Sequence, residues 1–163
     1  MNTAIVYMTK HGCTEKAAQI LIEKLGGDVA AVNLKSAGEP DLSQYDTVII
    51  GGSIYAGKIQ GRVTKFIEKH REVLLTKRLG LYLCCMFDGE TAGKQFEEAY
   101  PWELRDHACA TGLFAGEFDF SKMNFFERKI VKKVANIEES VSRLDFGAIE
   151  EFAQKMSEAD QEI

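Results

Sequence analysis

Residues 9–14 combine the groups with which proteins bind anions, and they read Thr9-Lys10-His11-Gly12-Cys13-Thr14. They follow an apolar run and precede a helical pattern. Backbone N–H groups before a helix converge on one point, where the helix dipole favours negative charge. Thr9 and Thr14 add hydroxyl donors, Lys10 adds a positive charge, and Gly12 permits a close approach. These residues predict a phosphate-binding loop, with an ordinary strand-to-helix turn as the alternative.

Two familiar phosphate motifs are absent from the chain. There is no G-x-x-x-x-G-K-[ST] sequence, which excludes the P-loop nucleotide triphosphatases, and no G-x-G-x-x-G after the first strand, which excludes the dinucleotide fingerprint. A loop this short suits a single terminal phosphate.

Two further loops could hold a flat ring. In "GGSIYAGKIQG" (51–61) the glycines let the backbone fold closely, and an aromatic side chain could stack on the ring or lie on the surface. The residues predicted to flank the ring there are Ser53, Ile54, Tyr55, Ala56, Gly57 and Lys58. The loop "FDGETAG" (87–93) would form the opposite wall through Phe87, Asp88 and Gly89.

The elements that position these loops alternate between strand and helix. Apolar runs predict strands over 3–8, 29–34, 46–52, 79–87 and 108–118. The first predicted helix has Thr14 as its N-cap and ends at Gly26-Gly27, and a helix over 92–106 is interrupted at Pro101. Asp145 is expected to cap the last helix, whose inward residues are predicted to be Phe146, Ile149, Phe152, Ala153 and Met156.

This alternation predicts a parallel sheet with helices on both faces. Ligands of such sheets lie beyond the carboxyl ends of the strands, where the strand order reverses. The three loops follow strands one, three and four, so they meet at that edge. A phosphate-accepting receiver domain is excluded, because strand three ends in Gly51-Gly52-Ser53 without the aspartate that such a domain needs.

Composition limits the class of protein. A chain of 163 residues suits a single domain spanning 1–163. The net charge of -5 argues against a nucleic-acid partner. No segment has a signal peptide pattern or the ~20 apolar residues that cross a bilayer, so a cytoplasmic protein with reduced cysteines is expected. No metal-binding spacing occurs, and no motif places a catalytic acid, base or nucleophile.

The loop 9–14 resembles the flavodoxin superfamily pattern [ST]-x-T-G-x-T, with His11 and Cys13 as departures. "YDTVIIGGSIYAGKIQGRVTKFIEKH" (45–70) and "ACATGLFAGEFDFSKMNFFERKIVKKV" (108–134) are similar to the menaquinone-dependent protoporphyrinogen oxidase branch of that superfamily. The similarity covers most of the chain. That branch has a longer loop after strand four than "FDGETAGKQFEE" offers here.

The resemblance implies a flavodoxin-like three-layer sandwich: a five-stranded parallel sheet of order 2-1-3-4-5, with an inserted helix after strand five. It implies non-covalent FMN, with its phosphate at residues 9–14 and its isoalloxazine between 53–58 and 87–89. The implied function is an oxidoreductase that passes electrons through FMN from a reduced donor to an acceptor such as a quinone. The alternatives are a soluble electron carrier between protein partners and a flavin-free interaction module.

Two charged features bear on that function. Residues 121–136 form a basic amphipathic pattern that could contact an anionic membrane or a redox partner protein, or pack on the domain with its lysines in solvent. Lys58 and Arg62 lie near the expected ring, and positive charge there would favour a reduced, anionic flavin. We therefore expect a flavin less strongly reducing than that of a low-potential carrier, unless both side chains lie in solvent.

Overall fold

The computed structural model describes residues 2–9, 12–55, 57–85, 89–115, 117–118, 141–142 and 144–161. Its strands are β1 (Asn2–Tyr7), β2 (Asp28–Asn33), β3 (Thr47–Tyr55), β4 (Lys58–Ile59), β5 (Arg78–Cys85), β6 (Ala110–Ala115), β7 (Glu117–Phe118) and β8 (Val141–Ser142). Its helices are α1 (Cys13–Leu25), α2 (Gly61–Leu74), α3 (Gly89–Ala99), α4 (Trp102–His107) and α5 (Phe146–Gln161). A short 3-10 turn covers Leu42–Gln44.

The main sheet has the order β2-β1-β3-β5-β6, and all four neighbouring pairs are parallel. The strand order reverses between β1 and β3, so the connections after these two strands leave toward opposite faces. Counted by its five long strands, this is the predicted order 2-1-3-4-5, which the structure confirms. β4 folds back antiparallel on β3, and β7 pairs with β8 in a separate ribbon.

Two apolar clusters cover the two faces of the sheet. On one face the buried side chains of α1 and α5 pack on the strands, and on the other those of α2, α3 and α4 do so. The strands between them are near-continuous apolar runs, because both of their faces are covered. Sheet and helices therefore form the three layers of a flavodoxin-like sandwich.

One row across the sheet alternates bulky and small residues. Tyr7, Gly51, Tyr82 and Gly112 are register neighbours on β1, β3, β5 and β6. A Cβ built on Gly51 would overlap the ring of Tyr82, and one on Gly112 would come within 2.6 Å of the Phe114 ring. The glycines thus make room for aromatic rings on the face that α1 and α5 cover.

Those rings pack on one another under α5. Tyr82 stacks on Phe114 with centroids 5.0 Å apart, and Phe152 of α5 meets both rings edge-on. Such aromatic contacts contribute about 0.5–1.5 kcal/mol each beyond their buried area. The last helix is therefore fixed to β5 and β6 by aromatic contacts.

Three sequence predictions about element ends are wrong. Thr14 is not the N-cap of α1: the helix begins at Cys13, because Gly12 takes a left-handed conformation (φ 91°) and its carbonyl accepts the Lys16 N–H at 3.0 Å. Strand three does not end at residue 52 but continues to Tyr55, because the chain folds back there as a hairpin. Strand five, predicted over 108–118, is shorter and covers Ala110–Ala115, with β7 following as a separate strand.

The last helix is confirmed with one correction. Asp145 caps it by accepting the Ala148 N–H at 3.0 Å, and four of the predicted inward residues are buried. Phe146 is 64% exposed instead. It lies six residues before Phe152, which is about 9 Å along the helix axis. Phe146 is the first residue of the helix and therefore lies that far from the contact of Phe152 with the sheet.

The predicted interruption at Pro101 is confirmed, since α3 ends before this residue and α4 begins after it. The predicted inserted helix, 121–136, lies outside the described residues. No helix within the described part of the chain is long and apolar enough to cross a membrane.

We predict that two buried phenols make the fold sensitive to high pH. Burial raises the pKa of Tyr82 and that of Tyr100 well above the ordinary value of about 10. The neutral phenols therefore contribute stability that is complete below about pH 10 and is lost as the pH rises further, because only the unfolded chain ionises there. Tyrosinate absorbance and circular dichroism, recorded together against pH, measure this.

Of the five tyrosines, Tyr82 and Tyr100 should ionise only as the protein unfolds. The variant Tyr82→Phe should therefore show one tyrosine fewer ionising in the unfolding transition. Ionisation of all five tyrosines near pH 10 with the fold intact would contradict the assignment.

Candidate functional site

The start of α1 is built around Gly12. Its N–H donates to Thr9 Oγ1 at 2.8 Å, which closes the loop between β1 and the helix. The left-handed conformation of Gly12 is strained for any residue with a Cβ. Gly12 occupies the N-cap position and provides no side-chain cap, and the N–H groups of a first helical turn have no partner within the helix. The loop therefore presents backbone donors at the positive end of a helix dipole.

The hydroxyl of Thr14 lies in this first turn. The residue is 0% exposed, and Oγ1 has no hydrogen-bond partner within the part of the chain that the structure describes. A buried polar group without a partner costs about 1–3 kcal/mol. A phosphate oxygen would supply the missing partner. The helix N-terminus and this hydroxyl, which has no partner in the described structure, fit a phosphate group.

Two phenols hold this turn against the sheet. Tyr82 donates its hydroxyl hydrogen to the Thr14 carbonyl at 3.1 Å, and Tyr7 donates to Glu15 Oε1 at 3.4 Å. Burial, with Glu15 nearby, raises the pKa of Tyr7. Tyr100 in turn donates to the carbonyl of Tyr82 at 2.6 Å. The position of the first turn of α1 is thus fixed by the centre of the fold.

The second predicted loop is a tight hairpin. Ser53, Ile54 and Tyr55 belong to β3, whose last two residues pair with Ile59 and Lys58 of β4. Gly57 closes the turn with φ 83°, which favours glycine. The predicted ring-flanking residues are therefore held on a paired scaffold rather than on a long open loop.

Gln60 fixes this hairpin and was missed by the sequence analysis. Its Oε1 accepts the Ser53 N–H at 3.0 Å, and its Nε2 donates to Ser53 Oγ at 2.6 Å. One side-chain amide thus satisfies both polar groups of the serine. The sequence offers one indication of this role: the side chain of Gln60 is both a donor and an acceptor, and it stands at the end of a glycine-rich segment, directly before α2.

Of the two basic residues expected near the ring, Lys58 and Arg62, the structure leaves only Lys58 at the hairpin. Arg62 donates to the carbonyls of Leu34 and Lys35, at 3.0 Å and 3.3 Å, in the loop after β2. It ties α2 to that loop, so its guanidinium is not directed at the expected ring. Lys58 is exposed and has no ion pair within the described residues. Lys58 is the remaining candidate to influence a ring here.

The predicted site residues that the structure describes lie at the carboxyl ends of β1, β3 and β5. Thr9, Gly12, Cys13 and Thr14 surround the start of α1, and Gly89 begins α3. Cys13 is 5% exposed and packs in the core between α1 and the sheet, so its side chain is not directed at a ligand. Lys10, His11, Ala56, Phe87 and Asp88 lie outside the described residues.

Within the described ranges, no cluster of three or more histidine, cysteine, aspartate or glutamate side chains could hold a metal ion. Cys13, Cys84 and Cys109 form no disulfide within those ranges. The groups that converge at the candidate site are backbone amides, hydroxyls and glycines, which is the chemistry of phosphate and ring binding.

Comparison with known proteins agrees with this geometry. A family model described as a flavodoxin domain matches residues 4–145. Protoporphyrinogen IX dehydrogenase (quinone) of Escherichia coli strain K12 is 24% identical over 149 residues, covering 82% of this chain and 78% of that protein. The predicted resemblance to that branch is therefore confirmed.

Solved structures show the same fold. The two-electron reduced flavodoxin of Megasphaera elsdenii superposes with a TM-score of 0.61 at 16% identity, covering 96% of this chain and 98% of that chain. Oxidised flavodoxin 1 of Bacillus cereus gives a TM-score of 0.57 at 14% identity, covering 100% and 99%. The family match spans most of the chain, so the protein belongs to the flavodoxin domain family.

Proposed function

We propose that the protein binds FMN non-covalently and works as an oxidoreductase that passes electrons from a reduced donor to an acceptor such as a quinone. The observation that carries this proposal is the start of α1, where Gly12 provides no side-chain cap and the buried Thr14 hydroxyl has no partner within the described residues. Both features have a local energetic cost in the protein alone, and both gain partners when a phosphate binds.

The phosphate would be held by the N–H groups of the first turn and by two hydroxyls. Thr9 Oγ1 accepts the Gly12 N–H, so the hydroxyl hydrogen of Thr9 is left to donate to the phosphate. Thr14 would donate from the other side. We propose that Lys10 and His11 complete the loop. Hydrogen bonds to a charged group contribute about 1.5–3 kcal/mol each, so a few of them support tight binding.

The ring would lie between residues 53–58 and 87–89. FMN supplies the redox chemistry when it is bound, and the protein sets its orientation and access. Gln60 would keep Ser53 and the hairpin in place, and Lys58 would favour added negative charge near the ring. No side chain is required as an acid or base in this proposal.

Two observations bear on the identity of the electron donor and the electron acceptor. The named activity of the Escherichia coli relative supports an oxidoreductase with a quinone acceptor. The connection between β5 and α3 is only three residues long, which favours the second candidate, a soluble carrier between redox proteins, because little chain is left to enclose a substrate. We further propose a cytoplasmic single-domain protein whose basic segment 121–136 meets a membrane surface or a redox partner.

We predict that the FMN-loaded protein oxidises protoporphyrinogen IX with menadione as acceptor, measured by the appearance of porphyrin fluorescence under anaerobic conditions. Flavin-free protein is the matched control and should be inactive. A loaded protein that shows no turnover, yet is reduced and reoxidised by redox proteins, would contradict the enzyme proposal and support the carrier.

We predict that Thr14→Val has opposite effects on folding and on FMN binding. Valine has nearly the same shape but no hydroxyl, so the flavin-free variant should be more stable by about 1–2 kcal/mol, because an unpaired buried group is removed. Its affinity for FMN should fall by about 10- to 100-fold, through loss of one charge-assisted hydrogen bond. Denaturant unfolding and fluorescence titration measure the two quantities.

Thr3→Val provides the control. Thr3 lies near the opposite end of β1, is 1% exposed and also has an unpaired hydroxyl within the described residues. This variant should gain similar stability and keep its FMN affinity. Riboflavin, which lacks the phosphate, should bind wild type and Thr14→Val equally. Unchanged FMN affinity in Thr14→Val would refute the assignment of the phosphate site.

A further inference from the structure

A second cavity lies beside the hairpin, between α2 and α3. Its volume is about 520 Å³, which falls within the range of about 300–1,000 Å³ that is typical of small-molecule sites. The hairpin residues Ile54, Gly57, Lys58 and Ile59 close one side. The lining residues do not include those at the start of α1. This cavity, called here the α2–α3 cleft, is therefore distinct from the proposed phosphate site.

The cleft has a positive end and a negative end. Both helices follow strands of one parallel sheet, so they run in the same direction. On α2, Lys65 precedes Glu68 by three residues, and on α3, Gln95 precedes Glu98 by three, a step of about 4.5 Å in each case. Lys58 lies at the hairpin. The lysines are therefore nearer to the hairpin than the carboxylates are.

The positive charges of Lys58 and Lys65 are available to a ligand in the cleft. Within the described residues no ion pair joins Lys58 or Lys65 to a carboxylate, and both are exposed at the mouth of the cleft. The Cα–Cβ bond of a helical residue tilts toward the N-terminus of its helix, so the Lys65 side chain leans toward the hairpin. Two cations near the same end of a concave site favour an anionic group there.

The wall between the two ends of the cleft suits an uncharged, mainly apolar part of a ligand that carries a hydrogen-bond donor. Ile54, Ile59 and Ala99 give it an apolar surface. Gln95 lines the same cavity, and its Oε1 is buried without a hydrogen-bond partner in the part of the chain that the structure describes. A buried amide oxygen without a donor is unfavourable, so an N–H or O–H group of a ligand would stabilise it.

We propose that the α2–α3 cleft binds a small organic acid. Its acidic group lies between Lys58 and Lys65, its ring or hydrocarbon body contacts Ile54 and Ile59, and a donor group reaches Gln95. Because Lys58 also belongs to the proposed ring-binding hairpin, an acid bound here lies next to the flavin as its small-molecule electron partner. That last role rests on the proposed function, whereas the binding itself does not.

The test uses 2-naphthoate and 2-naphthamide, which share a ring system and differ in charge. Each is titrated by saturation-transfer NMR into flavin-free protein and into protein saturated with FMN. We expect naphthoate to bind at least tenfold more tightly than naphthamide in both states. The double variant Lys58→Gln/Lys65→Gln should lower naphthoate affinity to that of naphthamide. Lys155→Gln, an exposed lysine on α5, is the matched control and should change neither affinity.

Thr64→Trp blocks the cleft from an exposed position on α2. It should abolish binding of both probes while the melting temperature stays close to that of wild type. Equal affinity for the two probes, or naphthoate binding that survives both the double variant and Thr64→Trp, would overturn the proposal. Displacement of naphthoate by FMN would also overturn it, since the probe would then occupy the flavin position.

The visible spectrum of the same samples reports FMN binding separately. Naphthoate binding without any FMN binding would contradict the proposed function and leave the cleft assignment supported. FMN binding without a preference for naphthoate would contradict the cleft assignment alone.

Discussion

The ring of Tyr82 lies over Gly51, in the space that a side chain at position 51 would fill. From there its hydroxyl reaches the Thr14 carbonyl, and its own carbonyl accepts the Tyr100 hydroxyl. One aromatic residue on a central strand thus joins the sheet, the first turn of α1 and the helical layer on the opposite face. The height of α1 above the sheet, and with it the geometry of the loop that precedes the helix, depends on this contact.

The start of α1 contains two features that are energetically unfavourable in the protein alone. α1 starts from a left-handed glycine without a side-chain cap, and Thr14 buries a hydroxyl with no partner in the described structure. Groups that are unfavourable in the protein alone, yet held firmly by a well-packed core, are typical of functional sites. The packing around Tyr82 supplies that rigidity, because Phe114 and Phe152 surround its ring.

Much of the fold could be predicted because both faces of the sheet are covered. Covered strands are continuous apolar runs, and their alternation with helical patterns leaves few topologies. The site was predictable as three segments, since loops at the carboxyl ends of parallel strands must meet.

Other details depend on contacts between distant parts of the chain. Threonine is a good N-cap, so the sequence predicts Thr14 as the N-cap of α1. The left-handed conformation of Gly12 instead starts the helix at Cys13. Gln60 and Arg62 gave no periodic signal, and their roles arise only when the hairpin and the loop after β2 are in place. Phe146 follows the helical period and is nevertheless exposed, because the period predicts the face of a helix and not what covers its first residue.

The visible absorption spectrum of the purified protein, recorded before and after addition of FMN and removal of the excess, tests most directly whether the start of α1 serves a flavin phosphate. We predict the bands of tightly bound flavin, at one FMN per chain after the addition. A colourless protein that retains no FMN would contradict this account, since Gly12 and the buried Thr14 hydroxyl would then belong to an ordinary strand-to-helix turn.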